Sequence, residues 1–305
     1  MNKRLFIRIL LAFSSSLLLL SGCGNSGEDE KSEQAIEKSL DVEVDNNANK
    51  LIKFNNVVFS VPSPYQFAFF VKDMGISYNK EFLNPTKNAS SYSTTFKKAL
   101  NMGIYGTDLA YLNIYEQTPD AISYFSVLKM LSNEVGLSSA FDQSTVQRIE
   151  KNMGNKDSLL YILSNTYREA DSYLKDNDRN AVAALILAGG WLESIYVLTE
   201  VAKTKPDPKI FQKIAEQKHP LDNLIKILSP YYNQSQEYIE MTDLLIELAY
   251  EFDGVDYKYE FKQPTHDPKN KLTIVNSISE LTISKEQLKN ITQKVSSLRN
   301  SIIGK

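Results

Sequence analysis

The run from Asn180 to Lys203 limits what this chain can become more than any other stretch. Between Ala181 and Leu192 no residue is polar. A helix apolar on one stripe lies on a surface, whereas a helix apolar all round has to be enclosed. A bilayer encloses a span of ~20 apolar residues, and this run meets Glu193 after twelve. The expectation is therefore a core helix wrapped by other helices. Gly189 and Gly190 lie inside it, each at a cost of ~1 kcal/mol in helix propensity against Ala. They predict a close helix approach or a bend at that point.

Enough helical signal surrounds the run to supply that wrapping. Tyr65 to Met74 follows Pro64 and stops before Gly75. Ser93–Asn101 and Thr107–Gln117 read as two helices flanking a Gly103–Gly106 break. Thr118-Pro119 has the form of an N-cap with Pro at the first helical position. Ala121, Tyr124, Phe125, Leu128, Leu131 and Val135 then make one face that ends at Gly136. Shorter faces follow over Val146–Met153 and over Leu159–Leu174. Asp207-Pro208 opens a further helix, and Pro220 should break or kink the chain beyond it. Tyr238, Met241, Leu245, Leu248 and Phe252 form a long stripe closed by Gly254. No fixed repeat period joins these segments, so an irregular bundle is expected rather than a solenoid.

Two stretches depart from the helical pattern. Val57–Val61 is β-branched and apolar, in the manner of a short strand. After Gly254 the period becomes two: Val255, Tyr257, Tyr259 and Phe261 alternate with Asp256, Lys258, Glu260 and Lys262, the pattern of a half-buried strand. Leu272–Val275 is its expected partner, giving a small hairpin near 255–276. Ser284 with Gln287 forms a capping box for an amphipathic helix over 285–302. Its stripe of Leu288, Ile291, Val295, Leu298 and Ile302 is expected to dock on the body rather than to pair with another chain. The predicted fold class is mostly α: an irregular multi-helix bundle around a central apolar helix, with a small appended β-hairpin.

Residues 1–22 carry a different kind of signal. Lys3 and Arg4 precede a short apolar run from Leu5 to Leu20, and small residues follow, as in a secretory signal peptide. Leu20-Ser21-Gly22-Cys23 closes the segment and resembles the lipobox of bacterial lipoproteins. The resemblance implies a diacylglycerol thioether on Cys23, cleavage before it, and acylation of the new amine, palmitate being a usual chain. Several acyl chains give stable membrane anchoring where one is marginal. Cys23 is the only cysteine, so no intrachain disulfide is available to it. In that family Gly24, which is not the Asp of inner-membrane retention, implies an outer-membrane location. Glu28-Asp29-Glu30 resembles the export signal of surface lipoproteins, or serves as part of a solvated spacer. Residues 23–50 are poor in large apolar side chains and read as a flexible tether, with one helical domain over 51–305. Val61-Pro62-Ser63-Pro64, Gly106-Thr107-Asp108-Leu109-Ala110 and Ala188-Gly189-Gly190-Trp191 give that domain a resemblance to helical lipoproteins of Bacteroidota, which carries no activity or site residues with it.

Loss of the leader removes Lys3, Arg4 and Arg8 and takes the net charge from −3 to −6. Such acidity provides no footprint for nucleic acid. The sequence has no nucleophile elbow, phosphate-binding glycine loop or zinc-binding helix motif, and its two histidines, His219 and His266, read as loop imidazoles. Neither a cofactor nor a metal is expected. Four carboxylates next to apolar or aromatic residues, Asp108, Glu116, Asp171 and Glu193, are the candidates for an acid–base pair. Glu193 otherwise reads as a group on one wet edge of the core helix, bonded to a Tyr or Lys. Tyr111 and Tyr115 share a helix face and, with Trp191 and Glu193, are the candidate lining of an interhelical ligand groove. The leading functional expectation is a lipid-anchored, non-enzymatic binding or scaffolding module of the cell envelope, with an envelope protein, glycan or peptide as partner. The alternatives are a binder of a small ligand, glycan or peptide in that groove, and a carboxylate-dependent hydrolase.

Overall fold

The apolar run forms the centre of a helix, Asn180–Thr204, and other helices enclose it. In the computed structural model, residues 51–54, 57–60, 63–137, 143–152, 155, 158, 161–162 and 179–304 are described. In chain order the helices are α1 Pro64–Asp73, α2 Thr95–Ile114, α3 Thr118–Glu134, α4 Gln143–Lys151, α5 Asn180–Thr204, α6 Pro208–Ala215, α7 Lys218–Leu228, α8 Gln236–Asp253 and α9 Lys285–Ile303. Helix α5 packs against α1, α2, α6, α7 and α9. The fold is the expected one: mostly α, irregular, and built round a single apolar helix.

The deepest contact is between α5 and α2. Every residue of α2 from Ala99 to Ile114 is buried, so two internal helices lie against each other. The approach is backbone to backbone. A Cβ on Gly103 would collide with the Ile186 carbonyl oxygen, and one on Gly189 with the Leu100 carbonyl oxygen. The Thr107 hydroxyl sits between the helices, 3.2 Å from the Gly103 carbonyl and 3.1 Å from the Gly190 carbonyl. The expected break at Gly103–Gly106 is therefore absent. Glycine there serves proximity, and α2 runs through it without interruption.

Local signals set most helix ends. The Ser63 hydroxyl accepts from the Gln66 N–H while the Gln66 side chain accepts from the Ser63 N–H, with Pro64 opening α1. Ser284 and Gln287 do the same for α9. Asp207 caps α6. Thr118 lies inside α3, whose N-cap is Gln117, one residue earlier than the Thr-Pro pattern suggests. The break near Pro220 falls at Glu216–Gln217, and Pro220 sits in the first turn of α7, where its missing N–H costs no helix bond. Met153, Gly154 and most of Leu159–Leu174 lie outside the described residues.

Helix α9 docks as expected, with Ile291, Val295, Leu298 and Ile302 buried against α5, α8 and α2. The strands differ from expectation. β1 Leu51–Phe54 pairs with β2 Val57–Ser60, so the Val57 strand belongs to a hairpin. Near the C-terminus β3 Asp256–Glu260 pairs with β6 Ile278–Thr282, and β4 Thr265–Asp267 pairs with β5 Leu272–Ile274. The hairpin is thus longer than 255–276, and Leu272–Val275 faces β4 instead of β3. The strand expected to be half-buried has all five residues exposed. Among the described residues no helix covers its aromatic face, so alternation here marks two different open faces rather than an inside and an outside.

Candidate functional site

Two features bear on function: a charged cluster inside the bundle and the open grooves on its surface. The cluster forms where α2, α5 and α9 meet. Glu193 on α5 is fully buried and so is Arg299 on α9. Arg299 Nε donates to Glu193 Oε2 at 2.7 Å and Nη2 donates to Oε1 at 2.6 Å, the bidentate fork geometry that matches guanidinium to carboxylate. Nη2 also donates to the Phe82 carbonyl at 3.0 Å, and the guanidinium stacks 4.0 Å from the Tyr196 ring centre. Burial works against the charged guanidinium, but the neighbouring Glu193 and Asp108 outweigh it and raise the Arg299 pKa.

Asp108, on α2, completes the cluster. Its Oδ2 accepts from the Asn84 N–H at 3.0 Å. Asn84 Nδ2 in turn donates to the Tyr92 hydroxyl and to Asn101 Oδ1, and Asn101 reaches the Ile302 carbonyl. Burial, followed by the negative charge of Glu193, pushes the Asp108 carboxyl well above the usual carboxylate range. With Asp108 protonated the cluster holds one anion and one cation.

The raised value has a consequence for stability. Between the ordinary carboxylate range and the raised one, the folded chain keeps a proton that the unfolded chain releases. Stability then falls as pH climbs through that window. Asp108→Asn keeps the shape and an acceptor for Asn84 without a titrating proton. It is expected to flatten this slope and raise the melting temperature, most at the alkaline end of a pH series of thermal melts.

Of the four candidate carboxylates, the structure brings together only Asp108 and Glu193. Both are buried, and Glu193 is bonded to Arg299, which is neither the wet edge nor the Tyr or Lys bond expected of it. Glu116 is exposed, 3.5 Å from Lys72 Nζ, and Asp171 lies outside the described residues. Among the described residues no group of three or more His, Cys, Asp or Glu is placed to hold a metal. His219 is in α7 and His266 in β4, its Nδ1 3.1 Å from Thr273 Oγ1, so neither is the loop imidazole expected.

The proposed groove residues do not converge. Tyr111 and Tyr115 do share a face, with ring centres 4.6 Å apart. The Tyr111 hydroxyl accepts from the Asn79 N–H and the Tyr115 hydroxyl donates to the Ile76 carbonyl. Both fasten the chain that leaves α1. Trp191 is buried and donates from Nε1 to Gln217 Oε1 at 3.2 Å, tying α5 to the α6–α7 junction. Glu193 is held by Arg299. Each polar group has a partner inside the fold, as buried Tyr and Trp usually do.

The open grooves lie elsewhere. The larger, about 700 Å³, runs between α5 and α9 and is lined by Lys203, Lys285, Lys289, Thr292 and Gln293 among others. A smaller one, about 290 Å³, lies beside Phe96, Ala181 and Tyr238. Neither contains Tyr111, Tyr115, Trp191 or Glu193. Sequence reasoning missed Arg299, although a cue was present: it stands four residues after Val295, on the flank of the buried stripe of α9. Cys23, the lipidation candidate, lies outside the described residues. Compared with known proteins, the chain matches no family model, and no curated protein or solved structure matches it.

Proposed function

We propose that this chain is a lipid-anchored lipoprotein of the cell envelope whose helical body acts as a non-enzymatic binding or scaffolding module. The observation that carries the reading is Leu20-Ser21-Gly22-Cys23, set at the end of a basic-then-apolar leader and containing the only cysteine of the chain. Acyl chains on Cys23 hold the protein to the membrane, and Gly24 favours the outer membrane. Residues 24–50, poor in large apolar side chains, are the tether this reading places between the anchor and the helical body.

The non-enzymatic part is supported by the interior. The two carboxylates that come together are occupied within the fold, Glu193 in joining α5 to α9 through Arg299 and Asp108 in holding the Asn84 N–H, and neither lines either groove. A carboxylate bonded on both oxygens to a buried guanidinium, as Glu193 is, has its acceptor sites taken up by the fold. Substrate chemistry would require them to face solvent.

Cys23→Ser is the test. It is expected to move the protein from the membrane to the soluble fraction and to abolish incorporation of labelled palmitate. A membrane fraction unchanged by the substitution, with label still present, overturns the anchor.

A further inference from the structure

We propose that the outer edge of β3 is a homotypic docking strand that pairs antiparallel with β3 of a second copy of this chain. Among the described residues strand β3 is hydrogen-bonded to β6 alone, on one of its sides. β6 packs against α6, whereas the other edge of β3 has no strand partner among the described residues. An edge strand presents a row of unpaired N–H and C=O groups that another strand can complete. Its side chains are unusually apolar for such an edge: Tyr257 and Tyr259 are each 55% exposed and Phe261 is 62% exposed. These three alternate with Asp256, Lys258, Glu260 and Lys262. Asp256 and Lys258 make no side-chain hydrogen bond or ion pair among the described residues, and Lys262 lies 3.5 Å from Glu260 on the open surface.

The occupant follows from the order of the charges. From Asp256 to Lys262 they read minus, plus, minus, plus, with an aromatic residue between each. Turned end for end about Tyr259, the segment becomes its own electrostatic complement. Antiparallel pairing centred there sets Asp256 opposite Lys262, Lys258 opposite Glu260 and Tyr257 opposite Phe261, with Tyr259 opposite its copy. Opposite charges and aromatic pairs across strands stabilise a sheet, and like charges destabilise it. Sliding by two residues either way sets Lys258 against Lys258 or Glu260 against Glu260. Sliding by one sets aromatic side chains against charged ones. The pattern therefore favours one register and penalises its neighbours, which is how charge gives an interface its specificity. The product is a four-stranded sheet with two-fold symmetry, the usual symmetry of a homodimer. Tyr257, Tyr259 and Phe261 of both copies form one continuous strip on its aromatic face.

The test uses the chain from residue 23 onward carrying Cys23→Ser, so that neither acyl chains nor the apolar leader drives association. Sedimentation equilibrium is expected to show a monomer–dimer equilibrium. Lys258→Glu sets a carboxylate against Glu260 of the partner copy twice over, and Glu260→Lys sets two ammonium groups together twice over. Each alone is expected to weaken the dimer at least about tenfold. The double variant Lys258→Glu/Glu260→Lys restores opposite charges across the symmetry axis and is expected to restore the dimer. Tyr259→Cys in the same background supplies the only thiol, and oxidation is expected to give a disulfide-linked dimer. Thermal melts of each variant establish that the body stays folded. A monomer at every concentration overturns the proposal. So does a dimer indifferent to the single reversals, or one that the double variant fails to rescue. Selective binding of unmodified chain, but not the reversals, to phosphatidylethanolamine–phosphatidylglycerol vesicles without dimerisation assigns the strand to lipid and overturns it as well. None of these outcomes depends on whether Cys23 is acylated.

Discussion

Arg299→Ala is expected to destabilise the body by about 3–5 kcal/mol, because it leaves a buried carboxylate without its cation. The substitution removes both bonds to Glu193 and the bond to the Phe82 carbonyl at once. It also removes the planar group stacked on Tyr196. Glu193 then has to stay charged in a dry site or take up a proton, and either is costly. A paired replacement discriminates this cause from simple loss of volume. Glu193→Leu with Arg299→Met removes both charges and fills much of the space, and buried ion pairs replaced in this way often prove neutral. The double variant is therefore expected to be clearly more stable than Arg299→Ala. Urea unfolding followed by circular dichroism measures both, and equal losses in the two variants would show that the ion pair is not what matters.

The second large effect is expected at the α2–α5 crossing. Gly103→Ala and Gly189→Ala each place a methyl group against backbone of the facing helix. Backbone in two buried helices has nowhere to give, so the helices must separate. Overpacking of this kind costs about 1–3 kcal/mol and at times more, and the upper end is expected here. Gly190 is the control, although it adjoins Gly189. A Cβ there would meet the Thr107 hydroxyl at 3.4 Å and the Gly103 carbonyl oxygen at 3.5 Å, which is ordinary contact. Gly190→Ala is expected to be neutral or to gain up to ~1 kcal/mol from helix propensity. Thermal denaturation of the three variants gives opposite signs for neighbouring residues if the crossing is as close as described.

Much of the architecture was legible because it rests on short-range patterns. Twelve apolar residues without a break announce an enclosed helix. A Ser and a Gln three apart announce the start of α9, and its buried stripe recurs at helical spacing. The meaning of the glycines was not legible, since the same residue type can end a helix or admit a neighbour. Only the position of Ile186 opposite Gly103 decides between them. The strand pairing failed for a related reason. Leu272–Val275 and Ile278–Thr282 both suit a partner by composition, but Leu272–Ile274 is taken up by β4 and the second segment pairs with β3. The interior cluster was half visible. Glu193 stood out against its apolar surroundings, but its partner lies 106 residues away, beyond the reach of any local pattern. The tyrosines and Trp191 were read as a groove because their partners, backbone groups at Ile76 and Asn79 and the side chain of Gln217, leave no trace in periodicity.

The placement of Arg299 also sets an order of assembly. A ribosome makes α9 after every other described helix, so Glu193 has already emerged when its cation is still unmade. Until then Glu193 lacks its cation, and a lone carboxylate resists burial between α2 and α5 unless it takes up a proton. A chain halted before α9 is therefore expected to be cleaved faster than the full chain in limited proteolysis, because it lacks the pairing of Arg299 with Glu193.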